Sequence, residues 1–307
     1  MMRRTTAGAR RALSAVPKLG FALALALSVG LTLGAARPAH ADDAAVQYNL
    51  GLQLKREGKI PEAIAACEKA IALRPDYAAA HLTLGNLWRQ QGNYEKAAQS
   101  YEHAVKLQPK DVTARANLGA AYVRLKRVDD GIRELQTALE LKPDEYESRV
   151  SLGFAYRTKG DFPHAIEHLQ KATELKPNEP QAWTNLGVAK SKADDKTGAI
   201  FAFKKAIALN PGDAELHFNL ATVYRRQRNT EEAIAEYKTA LSYNSKLASA
   251  YYDLGILYAQ ERKTEEAKEA FQNFLRYAPS NDTARKDAEE RLKTYQTSEE
   301  AKRKAKK

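Results

Sequence analysis

Asn117-Leu118-Gly119-Ala120-Ala121-Tyr122 is the stretch that decides the fold. Its Leu-Gly pair returns at Leu50-Gly51, Leu84-Gly85, Leu152-Gly153, Leu186-Gly187 and Leu254-Gly255. Leu220-Ala221 fills the remaining step with the next smallest residue, and every step is 34 residues long. A fixed period of this length marks stacked supersecondary units, none of which can bury its apolar face alone.

With Leu-Gly at unit positions 7 and 8, the repeats run 44–77, 78–111, 112–145, 146–179, 180–213, 214–247 and 248–281. Position 20 is alanine except at Gly131, and position 27 is alanine except at Phe274. Position 24 is bulky or apolar throughout: Cys67, Tyr101, Leu135, Leu169, Phe203, Tyr237 and Phe271. Position 32 is proline except at Ser245. Positions 4, 7, 8 and 11 share one face of a first helix, and positions 20, 24, 27 and 28 one face of a second. Small residues at 8, 20 and 27 let the two axes approach, and proline at 32 ends the second helix. Turn residues separate the helices at Gly58, Gly92-Asn93, Gly160-Asp161 and Asp194-Asp195. Pro61 and Pro163 suit a first helical turn. Thr230 and Thr264, each followed by Glu-Glu, are expected to be N-caps.

This pattern resembles the tetratricopeptide repeat family over residues 44–281. The resemblance implies an all-α, right-handed α-solenoid of seven tandem 34-residue helix-turn-helix repeats. Two departures stand out. Lys190 replaces the aromatic of position 11, which is expected to loosen packing there, and Ser245 replaces a proline, which is expected to soften that joint. Asn281-Asp282-Thr283 then starts a capping helix over 282–295, whose stripe of Ala284, Ala288, Leu292 and Tyr295 closes the solenoid's end. From Gln296 the chain is polar and basic, and 296–307 is expected to be a disordered tail.

Basic residues exceed acidic ones by 11. Arg3, Arg4, Arg10, Arg11, Lys18 and Arg37 near the start, with Lys302, Arg303, Lys304, Lys306 and Lys307 at the end, account for the whole excess. Residues 42–301 are therefore formally neutral, and charge gives no reason to expect nucleic acid as a partner. Residues 1–41 read as a signal peptide: a basic start, an apolar run from Leu19 to Leu33, then Ala39-His40-Ala41 as a small-x-small cleavage site. The run is shorter than the roughly 20 residues of a membrane span, and the alternative is an uncleaved anchor. Cys67 is the single cysteine, so no intramolecular disulfide forms. The mature chain is expected to be exported, into a bacterial periplasm.

No residues assemble into a catalytic or cofactor-binding pattern, and no enzyme or cofactor is expected. His164 and His168 stand four apart on one helix face, but Glu167 is misplaced for a zinc-protease helix and no third ligand is evident. His81 and His217 fall on position 4 and are read as structural. Cys67 lies in the position-24 core column and is read as a buried thiol.

The resemblance further implies a concave groove lined by the first helices, with positions 2, 5, 6, 9, 12 and 13 facing it. Position 6 reads Asn49, Thr83, Asn117, Ser151, Asn185, Asn219 and Asp253. Such a column of amides and hydroxyls can bond a peptide backbone without demanding a sequence; the same residues also suit a solvated surface. Positions 12 and 13 bring Lys55, Arg56, Arg89, Arg124, Arg157, Lys192, Arg225 and Arg226 with no acid between them. That ridge can steer acidic segments, or simply complement the negative ends of the helices. Tyr48, Phe154, Phe218 and Tyr252 are candidate apolar anchors. Asn86 and Asn117 match the asparagines of the family's two-carboxylate clamp, but its three cation positions hold Leu82, Glu147 and Ser151, so that clamp is rejected. The expected function is an exported, non-enzymatic scaffold that binds peptide segments of partner proteins, acidic ones among them. The alternative is a tether that uses the basic tail on anionic lipid or polymer, with membrane contact only through that tail or an uncleaved leader.

Overall fold

The computed structural model describes residues 39–305. The signal peptide read over 1–41 lies outside them, except that Ala39, His40 and Ala41 open the first helix. Each repeat is a helix pair: α1 (Ala39–Arg56) with α2 (Ile60–Leu73), α3 (Ala78–Gln90) with α4 (Tyr94–Leu107), and α5 (Val112–Arg124) with α6 (Val128–Leu141). Then come α7 (Tyr146–Lys159) with α8 (Phe162–Leu175), and α9 (Pro180–Lys192) with α10 (Lys196–Leu209). The last pairs are α11 (Ala214–Arg226) with α12 (Thr230–Tyr243), and α13 (Ala248–Gln260) with α14 (Thr264–Tyr277), before the terminal α15 (Arg285–Ala305). No strand occurs among the described residues. From α2 to α15 each helix packs on its neighbours in sequence, and α3, α5, α7, α9 and α11 also touch one another in order. The first helices therefore form a contiguous inner layer, as a solenoid with a groove requires.

Position 8 sits under position 24 of its own unit. A Cβ added at Gly119 would lie 2.6 Å from Leu135 Cγ and 2.8 Å from the Gly131 carbonyl oxygen. One added at Gly131 would lie 2.7 Å from the Gly119 carbonyl and 2.6 Å from Val123 Cγ2. In this unit backbone meets backbone, which explains why position 20 loses even its alanine methyl. All seven position-24 side chains are buried.

The turn inside each unit has one geometry. Position 15 is left-handed in every unit, at Gly58, Gly92, Lys126, Gly160, Asp194, Arg228 and Arg262. The N–H of position 16 then donates to the carbonyl of position 11, as in Lys59 to Leu54 (2.9 Å) and Asn229 to Tyr224 (3.0 Å), a Schellman closure. This fixed register overturns one expectation: Thr230 and Thr264 are the first helical residues, and Asn229 and Lys263 are the caps. The glutamates still fall in the first turn. Position 16 also caps through its side chain at Asn93, Asp161 and Asp195, the last accepting from the Gly198 amide at 2.8 Å, but not at Asn229.

Successive units are joined by a latch the sequence does not advertise. The position-4 side chain donates to the position-32 carbonyl of the preceding unit at every junction. His81 reaches Pro75 (2.9 Å), Arg115 Pro109 (2.7 Å) and Arg149 Pro143 (3.0 Å). Trp183 reaches Pro177 (2.8 Å), His217 Pro211 (3.0 Å) and Tyr251 Ser245 (3.3 Å). Four side-chain chemistries perform one task, and the Ser245 junction keeps the latch at the longest distance. Arg285, in the same register on α15, bonds the Leu275 and Ala278 carbonyls at 2.9 and 3.1 Å. His81 and His217 are structural in this sense.

Two further expectations change. Lys190 leaves no gap: its ammonium lies 2.7 Å from the cap residue Asp195, and its side chain is only 17% exposed. The terminal helix also runs past Tyr295 to Ala305, where a disordered tail was expected. Residues 296–305 contain neither glycine nor proline and are rich in strong helix formers. Only Lys306 and Lys307 of that tail fall outside the described residues. No described helix is long and apolar enough to cross a membrane.

Two substitutions test this packing. Gly119→Leu should lower stability by about 1–3 kcal/mol through overpacking. Arg228→Gly should raise it by about 0.5–1 kcal/mol, because glycine relieves a left-handed residue at some entropic cost. Equilibrium urea unfolding measures both, and a Gly119→Leu chain as stable as the parent would refute the contact.

Candidate groove of the first helices

The position-6 column does not present seven equivalent rungs. Thr83 Oγ1 lies 3.2 Å from the Tyr48 hydroxyl. Asn117 Nδ2 donates to Asn86 Oδ1 at 3.2 Å, and Asn86 also accepts from the Tyr101 hydroxyl at 2.9 Å. Asp253 accepts from the Tyr237 hydroxyl at 2.8 Å. These rungs hold neighbouring units together. Asn49, Ser151, Asn185 and Asn219 make no side-chain hydrogen bond among the described residues and remain open to a ligand. Rungs and partners stand 31 to 35 residues apart in the Asn117–Asn86 and Tyr48–Thr83 pairs, a distance at which sequence spacing gives no warning.

Tyrosine occupies position 24 in two units only, and both use the hydroxyl alike. Tyr101 donates to Asn86, which also accepts from Asn117, with Arg89 beside the hydroxyl. Tyr237 gathers Thr222 (3.2 Å) and Asp253, with Arg225 3.7 Å from the carboxylate. The first cluster is neutral at the rung; the second carries an acid. Burial pushes the Asp253 carboxyl above its ordinary range, against the opposing pull of Arg225 and the Tyr237 bond. Burial likewise raises the Tyr101 and Tyr237 hydroxyls.

The arginine ridge divides in the same way. Arg225 has Asp253, and Arg226 donates to the Ser191 carbonyl and to Asp194 at 2.8 and 2.9 Å. Arg89, Arg124 and Arg157 face no carboxylate within ion-pair distance among the described residues. Arg124 and Arg157 instead flank Phe154, their guanidinium carbons 5.5 and 4.8 Å from the ring centre. Tyr94 lies 5.9 Å from Arg124. Arg157 Nε is buried without an acceptor, and burial pulls its guanidinium down from the usual arginine range.

A groove of about 610 Å³ gathers Arg89, Tyr94, Arg124, Phe154, Gln181 and Asn185, while Arg157 and Arg225 are not among its lining residues. Ser151, Thr184, Asn210 and Asp213 also line it. Of the candidates read from sequence, Arg89, Arg124, Phe154 and Asn185 meet here. Asn219 lines a smaller neighbouring hollow of about 380 Å³ with Thr222 and Arg226, and Asn49 stands exposed on α1. Phe218 and Tyr252 are engaged within the solenoid and do not line this groove. Phe218 packs on Tyr237 at 5.6 Å, and Tyr252 packs on Phe274 at 5.1 Å while its hydroxyl donates to Asp287 on α15. Sequence reading passed over Tyr94, the first residue of a second helix. It also passed over Gln181 and Thr184, although they occupy positions 2 and 5, which the resemblance had already marked as groove-facing.

Other candidate chemistry is accounted for by packing. The His164 and His168 rings both stack on Tyr156, at 5.0 and 5.6 Å, and no cluster of three metal-ligating side chains occurs among the described residues. Cys67 is buried and its thiol is raised to about 11 by burial, which leaves it protonated near neutrality.

Comparison with known proteins agrees with this geometry. Tetratricopeptide repeat models match residues 112–145, 180–213 and 248–281, residues 54–99 and residues 202–235. A further TPR repeat model matches 85–126, 153–193 and 223–261. No curated protein matches the chain. Among solved structures, a tetratricopeptide repeat protein from Parabacteroides merdae is 18% identical, with a TM-score of 0.62 over 83% of this chain and 99% of that one. The Cut9 and Hcn1 hetero-tetramer of the APC/C matches at 19% identity and a TM-score of 0.61, over 83% of this chain and 52% of that one. YrrB, described as a TPR protein with an unusual peptide-binding site, matches at 22% identity and a TM-score of 0.50, over 64% of this chain and 98% of that one. At these identities the likeness establishes the fold.

The two tyrosine clusters make a pH prediction. A carboxyl raised in the folded state binds its proton more tightly there than in the unfolded chain, so ionisation above the unfolded value of 3.8 subtracts stability. Asp253→Asn, which copies the neutral rung Asn117, should therefore unfold at a higher temperature than the parent near pH 7. The gain should shrink as pH falls toward 3.8. A lower melting temperature for the variant near neutrality would contradict the assignment.

Proposed function

The chain belongs to the tetratricopeptide repeat family, and we propose that it is a non-enzymatic scaffold holding an extended segment of a partner protein. The observation that carries this reading is the groove itself. It is open and lined mostly by first-helix residues, and it brings Ser151 and Asn185, whose side chains have no hydrogen-bond partner among the described residues, together with Arg89 and Arg124, which face no carboxylate there. A shallow trough of this kind suits an extended peptide better than a small molecule, which needs enclosure on most sides. The description of YrrB as peptide-binding supports the same use of the fold. We further propose that the chain is exported. The support is the basic start, the apolar run from Leu19 to Leu33 and the small residues before Asp42.

Affinity capture from the exported fraction, read by mass spectrometry, identifies the partner. Asn185→Tyr should then abolish capture by filling the trough, with unchanged far-ultraviolet circular dichroism. Asn185→Ala should weaken it by about 2–10-fold, the worth of one or two ordinary hydrogen bonds. Equal capture by parent and Asn185→Tyr would place the binding surface elsewhere.

A further inference from the structure

Position 4 takes on a second duty where position 23 of its own unit offers a carboxylate. In unit three, Arg115 Nε donates to the Pro109 carbonyl at 2.7 Å, and a terminal nitrogen donates to Glu134 at 2.6 Å. In unit six, His217 does both jobs with one ring. Its Nε2 lies 3.0 Å from the Pro211 carbonyl, and its Nδ1 lies 2.7 Å from Glu236. The two columns vary together: glutamate stands at position 23 only in these two units, and elsewhere the residue is Ala66, Ser100, His168, Ala202 or Ala270.

A carbonyl and a carboxylate only accept hydrogen bonds, so both nitrogens of His217 must donate. Only the imidazolium does that. A neutral ring bonded to Pro211 through Nε2 turns a bare Nδ1 toward an anionic oxygen. Arg115 never meets this choice, because a guanidinium keeps its proton throughout the physiological range. Imidazole is the side chain whose second proton comes and goes between about pH 5 and 8. His81 marks the contrast. Its latch has one acceptor, the Pro75 carbonyl, its position 23 is Ser100, and burial lowers its imidazole from the ordinary range.

The His217 side chain is only 9% exposed. From α12 it meets Glu236 and the Tyr243 ring, stacked at 5.6 Å. Asp213, from the joint, caps the Glu215 amide. The cations of α9 and α10 are engaged elsewhere: Lys190 on Asp195, Lys196 on Asp194, and Lys204 and Lys205 over the Tyr224 and Phe201 rings. Lys192 lines the hollow beside Asn219. The same joint supplies part of the groove, since Asn210, Asp213 and Leu216 line it and flank Pro211 and His217 in sequence.

Resting on the scaffold reading, we infer that His217 is a proton-operated latch controlling the part of the groove built on the joint between units five and six. Protonated, the ring ties α11 and α12 to the end of α10, and Asn210, Asp213 and Leu216 keep their places. Loss of the proton gives up one of two bonds and sets a lone pair against the Glu236 carboxylate. The joint then loosens, and the partner segment loses that part of its seat. The latch's contribution is therefore full at acidic pH and is lost as pH rises through the imidazole titration.

The test uses the full chain with spin labels at Glu95→Cys, next to Tyr94, and Asn210→Cys; the buried Cys67 takes no label. Double electron–electron resonance reads the distance between them at about pH 5.5 and about pH 8.5. The distance should be narrowly distributed at the lower pH and broaden or shift at the higher. His217→Arg, which copies Arg115, should keep the narrow distribution at both. Glu236→Gln should do the same, because an amide accepts from imidazolium and donates to imidazole. Nitrogen-15 NMR of the His217 ring should show two N–H groups at the lower pH and one at the higher. One distribution at both pH values in the parent, a pH response that survives in His217→Arg, or a single N–H at the lower pH overturns the latch. Capture from the exported fraction separates this claim from the scaffold reading. It should weaken about fivefold or more at the higher pH in the parent and stay equal in His217→Arg. Capture abolished by Asn185→Tyr but indifferent to pH overturns the control of the groove, and the scaffold stands. A pH-dependent distance with capture indifferent to Asn185→Tyr overturns the scaffold and leaves the latch as a hinge.

Discussion

The contact between position 8 and position 24 governs everything else in this molecule. Two helices of about fourteen residues bury little surface unless their axes come close. Removing the side chain at position 8 brings the second helix down until its position-24 residue fills the space. At Gly119 and Gly131 the approach ends with each Cβ site under 3 Å from the other strand of backbone. Because each unit closes on itself by this one contact, the identity of the filler can vary from cysteine to phenylalanine without changing the architecture. That freedom admits tyrosine at 101 and 237, and with tyrosine the core acquires a hydroxyl.

A buried hydroxyl needs a partner, and the partner it finds is on the inner face. Tyr101 recruits Asn86, whose carbonyl oxygen also accepts from Asn117, and Tyr237 recruits Thr222 and Asp253. The core thus reaches into the binding surface and withdraws residues from it. This is why the groove is concentrated between the two tyrosine units, over units where leucine or phenylalanine fills position 24. Leu135, Leu169 and Phe203 make no demand on the rungs beside them, so Ser151, Asn185 and Asn219 stay free.

The fold was legible because its signal is redundant. Seven phased copies of Leu-Gly, Ala and Pro place every helix, and the left-handed turn follows even where Lys126, Asp194, Arg228 and Arg262 stand in for glycine. The groove was legible only in part, because residues such as Asn117, Phe218 and Tyr252 look the same in one dimension whether they face a ligand or a neighbouring repeat. Their partners Asn86, Tyr237 and Asp287 belong to other helices, and periodicity says nothing about which side chains are long enough to touch. The terminal segment was misread for a different reason. Low hydrophobicity and high charge describe a disordered tail and a solvated helix equally well, and only the absence of glycine and proline separated them.

The position-4 latch shows the same limit from the opposite side. Histidine, arginine, tryptophan and tyrosine share no hydrophobicity, charge or size class, so a column that holds them all reads as unconstrained. They share a planar group with a polar hydrogen at its far end, which is the one property the position-32 carbonyl requires. Proline at 32 leaves that carbonyl at the end of a helix with no following turn to satisfy it, and the next unit supplies the donor. Junction geometry is thus set at the outer ends of the helices, by positions 4 and 32, while hairpin geometry is set by 8 and 24. On the inner face, Ser151, Asn185 and Asn219 are then released from holding neighbouring units together, because no side chain among the described residues claims them.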